Sequence, residues 1–357
     1  MAHLVNILSN LLLTELSWPT GFWENIISTF FNVIKDYGWT IVLFSIVLKI
    51  VLIPLDFYQR KSTLASSKKQ AIIAPELAVL QKKYAGNKEM INQKTMELYK
   101  KHNYNIIGSC FSMLITMAIT LTVFFTLFSS MNNISQYKIE TQYRSLETAY
   151  YDAYNSAIGS STEEEAIAFA ENAVLERYED VKEGWLWIKN IWRPDTNASI
   201  ILTYSKFIDV TKADDIIETN YTAVMKPLTE TQQGWNGYFI LVVLAGVITF
   251  LSQKINMNMQ AKQNKKKNEN DKSVTTTLQN QKPEIDPAAS SAKIMMVILP
   301  IMMIIFTLSY SGAFALYIIT NSFTSAISTF IITKIIHKID EKKESKLKIS
   351  QKAEYSR

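Results

Sequence analysis

"FSIVLKIVLIPLDF", residues 44–57, sets a single lysine inside a run that is otherwise almost wholly apolar. With its flanks, 38–58, the run reaches the roughly 20 residues a helix needs to cross about 30 Å of hydrocarbon. A charge at the centre of such a helix costs roughly 2.5–3.5 kcal/mol on insertion scales. Lys49 must therefore be paired, reach the surface, or serve something. Reaching the surface is hard, because about 15 Å of helical rise separates it from Trp39. Asp56 lies seven residues on, about 10.5 Å along the axis and nearly on the same face, too far for a direct pair unless the helix bends. The favoured reading is functional, with Lys49 as a cationic centre inside the membrane.

The rest of the chain is segregated in the same way. Further apolar blocks at 105–131, 238–254, 293–310 and 311–336 bring the expected count to five spans, the third and fourth being short at their cores. The expected fold class is thus an all-α integral membrane protein of five transmembrane helices. Short basic loops stay in the cytoplasm. Residues 59–104 hold ten Lys/Arg against three acids, and 254–293 and 334–357 each hold eight against four, whereas 132–237 hold nine against seventeen. This puts 132–237 outside, the N-terminus outside and the C-terminus in the cytoplasm. The net charge of +5 is then the sum of an acidic exterior and a basic interior, not the footprint of a nucleic-acid-binding protein. "MAHLVNILSNLLLTELSW" lacks a basic n-region, a small-residue cleavage site, a lipid-accepting cysteine and the arginines of a transit peptide, so a bacterial plasma membrane is the simplest address.

Between the spans the pattern is helical. In the N-terminal segment, 1–37, Trp23, Ile26, Ile27, Phe30, Phe31 and Ile34 recur at spacings of three and four between Gly21 and Gly38. They predict an amphipathic helix lying flat in the outer interface, with packing on the outer domain as the alternative. Residues 59–104 predict a cytoplasmic helical hairpin, turning at "YAGNK" and joined by a thin seam of Ile73, Leu77, Leu80 and Tyr84 with Ile91, Thr95 and Leu98. The alternative there is a solvated connector. In 132–237, Ser161 and Glu164 form a capping signature before a face of Ala166, Phe169, Ala170, Ala173, Val174 and Tyr178. Trp185, Trp187 and Trp192 read as interfacial anchors. Residues 255–292 are a polar linker expected to be disordered, and 337–357 a basic tail.

The motif inventory excludes several chemistries. No G-x-x-x-x-G-K-[ST], G-x-S-x-G, H-E-x-x-H or C-x-x-C occurs; Cys110 is the single cysteine, and His3, His102 and His337 are far apart. No enzyme, no cofactor and no metal site is expected. The spans instead carry polar stripes: Ser45 with Lys49, then Ser112, Thr116 and Thr120, then Thr320, Thr324 and Ser328 beside Asn321 and Ser325. Any one stripe is explained by interhelical or back-bonded hydroxyls. Three together with a central lysine favour a shared hydrophilic cavity.

"GWTIVLFSIVLKIVLIPL", the hairpin with "APELAVLQKKY", "NIIGSCFSMLITM", "WLWIKNI" with "RPD", "YFILVVLAGVITFLSQKI" and "SGAFALYIITNSFTSAIS" resemble, in order and spacing, the YidC family of membrane protein insertases. The resemblance implies five core helices around a hydrophilic groove open to cytoplasm and lipid. Carried onto this chain, the client-binding groove comprises Lys49, Ser45, Ser112, Thr116, Thr120, Tyr317, Asn321 and Thr324. The family's groove charge is an arginine, and Lys49 keeps the charge but loses the bidentate fork. Ile106, Ser109, Thr116 and Ala118 stand where the family has Pro, Gly, Gln and Pro, and Ile318 replaces an aromatic residue.

The expected function is integration of newly synthesised hydrophobic segments into the membrane, with or without the Sec translocon. Nascent membrane proteins and lipids are the expected partners, with targeting factors, and with the ribosome through the basic tail. The alternatives are a small-solute transporter or channel, which lacks support from any inverted repeat, and a non-catalytic assembly scaffold.

Overall fold

A computed structural model describes residues 16–104, 106–270 and 287–355. Residues 1–15 and 271–286, the middle of the expected linker, lie outside the described residues; the two ends of that linker, 255–270 and 287–292, are helical rather than disordered, continuing the helices on either side. Among those described, ten helices make up the chain: α1 (Phe22–Ile34), α2 (Tyr37–Lys83), α3 (Lys88–Lys101), α4 (Ile106–Ala157), α5 (Glu163–Val181), α6 (Tyr204–Thr211), α7 (Glu218–Thr231), α8 (Ile240–Asn270), α9 (Pro287–Ser309) and α10 (Gly312–Tyr355). Two isolated bridges, Trp185 with Ile188 and Ser199 with Trp235, are the β-like pairings among the described residues. Tyr37–Ser67, Met117–Ala157, Ile240–Met259 and Gly312–Lys343 are long and apolar enough to cross a membrane, and Met296–Ser309 is a shorter apolar helix. The chain is an all-α, multi-pass membrane protein.

Several elements run further than the span boundaries suggest. α2 is one 47-residue helix that passes Pro54 and Pro75 and forms the first arm of the hairpin itself. Likewise α4 continues to Ala157 and α10 to Tyr355. Lys, Gln, Glu, Ala and Leu beyond each apolar block are good helix formers, so nothing in the chain stops the helix where hydrocarbon would.

The chain forms two compact units. The first comprises Met1–Phe44 (described from residue 16), Phe125–Ala245 and Ile304–Ile318. In it the apolar face of α1 is covered: Ile27 is buried, Trp23 and Phe30 meet Phe44 edge to face, and Phe31 stacks on Tyr37. Trp23 Nε1 donates to Thr126 of α4 at 2.9 Å. α5 begins with a capping box one residue later than expected. Thr162 accepts from Glu165 N, and the Glu165 carboxylate accepts from Thr162 N. Ser161 is unavailable because its hydroxyl donates to the Ala157 carbonyl at the end of α4. The buried face is Ala166, Ala170, Val174 and Tyr178, while Phe169 is exposed, since a single contact row narrows the face to residues four apart. Trp192 is 2% exposed and packs edge to face on Tyr37, so it is core rather than an interfacial anchor.

The second unit comprises Ser45–Phe124, Gly246–Met303 and Ile319–Arg357. Its hairpin turns at Gly86, whose φ of +95° favours glycine. Asn87 then caps α3 by accepting from Met90 N at 3.0 Å. Ile73 and Leu98 are the buried residues of the seam.

Candidate functional site

The charged face of the second unit lies on α2. Ser45, Lys49, Asp56 and Arg60 are spaced by four, seven and four residues, which puts them within about 60° of one another around a helix. Lys49 Nζ lies 2.6 Å from Asp56 Oδ2, with side chains 12% and 25% exposed. The expectation that Asp56 is out of direct reach is therefore corrected. The Cα–Cβ bond of Asp56 tilts toward the helix N-terminus, hence toward Lys49, and the lysine stem spans the remaining gap. Pro54, between them, also removes one rung of the helical ladder. Lys49 is thus half of an ion pair rather than an isolated cation. Such a pair is close to break-even energetically, but losing either partner strands a charge.

Around this pair the other expected groove residues divide. Ser45 is buried one turn before Lys49. On α10, Asn321 and Thr324 are half-buried in the same unit. Thr324 Oγ1 donates to the Thr320 carbonyl at 2.6 Å and Ser328 Oγ to the Ser325 carbonyl at 3.2 Å, so these hydroxyls are satisfied within their own helix. Ser322 meets Thr249 of α8 at 3.3 Å. Thr120 is exposed on α4. The side chains of Ser112 and Thr116 lie outside what is described. Tyr317 belongs to the first unit, buried and stacked on Phe314 at 6.1 Å between ring centroids.

Sequence reasoning missed Arg60, which it counted among the hairpin's basic residues. Arg60 Nε donates to Thr333 Oγ1 of α10 at 3.0 Å, and both residues are buried. Its spacing of four from Asp56 was the available signal.

In the hairpin, Glu76 of α2 takes Lys101 Nζ at 3.0 Å and His102 Nε2 at 2.8 Å. The hydrogen bond from Lys101 is the main cause that holds its carboxyl below the ordinary carboxylate range, with His102 adding to it.

In the first unit the "WLWIKNIWRPD" stretch, 185–195, organises the starts of two membrane-type helices. Asp195 is fully buried and accepts from Tyr238 N at 2.8 Å and Leu241 N at 2.6 Å, ahead of α8. A Cβ on Gly237 would fall 1.8 Å from Asp195 Oδ1, so this approach needs glycine. The carbonyls of Arg193 and Ile191 accept from Gly312 N and Ala313 N at 2.8 and 2.9 Å, capping α10. The Arg193 guanidinium donates to the Ser199 and Ile200 carbonyls, and burial lowers its pKa. A cavity of about 330 Å³ lies beside it, lined by Phe128, Asn132, Arg193, Tyr310, Ser311 and Phe314 among others; none of the expected groove residues lines it. Among the described residues no cluster of His, Cys, Asp and Glu could hold a metal ion.

Comparison with known proteins converges on one family. The chain is 41% identical over 91 residues to a membrane protein insertase YidC of Leptospira interrogans, covering 26% of this chain and 14% of that relative. It is 38% identical over 91 residues to the membrane protein insertase YidC of Fusobacterium nucleatum, covering 26% and 42%. A third, from Polynucleobacter asymbioticus, is 30% identical over 118 residues, covering 33% and 20%. The matched stretch therefore spans less than half the length of each of these relatives. The model of the 60Kd inner membrane protein family matches residues 29–341. With that match over most of its length, the chain belongs to the 60Kd inner membrane protein family.

Proposed function

We propose that the protein is a membrane protein insertase, which accepts hydrophobic segments of newly made proteins and releases them sideways into lipid without a cofactor. The observation that carries this reading is the Lys49–Asp56 pair, held inside a helix apolar enough to cross a membrane. The relatives, both named membrane protein insertases, point the same way. In this reading Ser45, Ser112, Thr116, Thr120, Asn321 and Thr324 line a groove with Lys49 in the second unit, Met296–Ser309 belongs to a fifth span, the N-terminus is outside and the C-terminus in the cytoplasm of a bacterial plasma membrane.

A polar groove shortens the low-dielectric path that a client's hydrophilic tail must cross. Asp56 holds the Lys49 ammonium in place, and an arriving client carboxylate exchanges with Asp56 for it. In an inside-negative membrane each carboxylate moving outward gains about 2.3 kcal/mol per 100 mV, so no nucleotide is needed. The hairpin serves clients, the Sec translocon or targeting factors, and the basic residues of 337–357 draw ribosomes and anionic lipid electrostatically.

The test is reconstitution in liposomes with a short, in vitro translated client bearing an acidic translocated tail. Wild type and Lys49→Arg should integrate it, and Lys49→Ala should integrate several-fold less. Solute flux without integration would make the protein a transporter or channel, and neither activity would make it a scaffold; either outcome sinks the insertase reading. Full integration by Lys49→Ala would remove Lys49 from the mechanism.

A further inference from the structure

The polar stripe of α2 ends at Arg60, whose situation differs from that of Lys49. Arg60 is 9% exposed. Its Nε donates to Thr333 Oγ1 at 3.0 Å. That hydroxyl gives its own proton to the Thr329 carbonyl at 2.7 Å, so the Thr333 oxygen acts as acceptor and fixes the plane of the guanidinium. Nη2 is buried with no hydrogen-bond partner. No carboxylate among the described residues pairs with Arg60, and the nearest one along its face, Asp56, is held by Lys49. A guanidinium is a planar fork matched to the oxygens of a carboxylate or phosphate. Buried N–H groups are seldom left without an acceptor, because the loss of hydration goes uncompensated. The protein has aimed this fork and supplied only part of what it needs.

Depth selects the missing acceptor. Lys49 and Arg60 are eleven residues apart, about 16.5 Å of helical rise, and half the hydrocarbon thickness is about 15 Å. With Lys49 at mid-span, Arg60 stands where hydrocarbon gives way to headgroups, at the level of lipid phosphates. An apolar cluster of Leu64, Ile332 and Ile336, flanked by Phe57, joins α2 to α10 beside it and limits hydration of the fork. Exposed Lys61 and Lys334, each next in sequence to a site residue, add positive charge at the same level.

We propose that Arg60, oriented by Thr333, binds the phosphate of an anionic phospholipid headgroup where α2 and α10 leave the hydrocarbon. The proposal rests on the chain spanning a membrane and is independent of the insertase reading.

The test uses the full-length protein in non-ionic detergent, following the thermal midpoint during titration with phosphatidylglycerol, with diacylglycerol of the same chains, with inorganic phosphate, and with a short acidic peptide. Phosphatidylglycerol should raise the wild-type midpoint and diacylglycerol should not. Arg60→Gln should need roughly tenfold more phosphatidylglycerol or beyond for half the effect. Thr333→Val, which keeps the charge but leaves it unaimed, should fall between. Because the two lipids are compared on wild type, a variant that fails to fold does not decide the matter. Equal responses to the two lipids, or an undiminished response in Arg60→Gln, overturn the proposal. So does an equal rise with inorganic phosphate, which would make this a free-anion site, or stabilisation by an acidic peptide where phosphatidylglycerol gives none, which would assign it to a client carboxylate.

Discussion

At Lys49 a charge that would be costly alone is balanced two turns away by Asp56, at 2.6 Å. Most of what sustains the pair is mutual: each side chain answers for the other's desolvation, and neither is worth much by itself. Lys49→Ala and Asp56→Ala should each destabilise the detergent-solubilised protein by about 3 kcal/mol, because each strands a partly buried charge. The double variant should recover much of that loss. Strictly additive losses in a four-member unfolding series would mean the two residues do not interact. Lys49 was legible from sequence as the anomaly of its helix, and Asp56 was legible as a candidate partner. Axial rise alone set Asp56 aside, because it measures the distance between backbones and not the reach of two side chains leaning toward each other. Arg60 was harder to see, since a basic residue at the edge of an apolar run reads as a topology signal until its burial is known.

At the scale of elements, the hairpin shows how a thin seam is held. Ile73 and Leu98 are its buried residues, and Glu76 ties α2 to Lys101 and His102 at the end of α3. The Glu76 pKa is lowered in the folded protein, chiefly by the Lys101 hydrogen bond. A depressed carboxylate contributes stability that is fully present above its unfolded value, near 4.3, and is lost as pH falls through the lower folded value. The pair is largely exposed, so its worth is about 0.5 kcal/mol. Hydrogen exchange across 88–101 should therefore be about twofold faster in Glu76→Gln than in wild type near neutral pH, and the two should converge as pH falls below about 4. A constant ratio across that range would take Glu76 out of the hairpin's stability. Both arms and their turn were expected from spacing and from Gly86 with Asn87. The fusion of the first arm with the preceding apolar helix was not, because hydropathy reports where lipid ends and is silent on where a helix does.

For the molecule as a whole, the stretch 185–195 does what no local pattern announces. Asp195 gathers Tyr238 N and Leu241 N, and the carbonyls of Ile191 and Arg193 gather the first amides of α10. Asp195→Ala should lower stability by about 2 kcal/mol or more, from a lost cap and buried amides left without an acceptor. Asp195→Asn, which keeps one acceptor oxygen, should lose less; equal midpoints for wild type and Asp195→Ala in thermal unfolding would refute the capping role. By itself the sequence determined the all-helical membrane class, the amphipathic α1, the hairpin turn and the lysine that had to be explained, because these follow from hydrophobic period, charge placement and helix propensity within a short window. Only the tertiary structure decided that Asp56 pairs with Lys49, that Arg60 lies buried against Thr333, that Trp192 is core, and that one buried aspartate starts α8. Those outcomes depend on side-chain reach and on contacts between residues as far as 273 positions apart, which no local window contains.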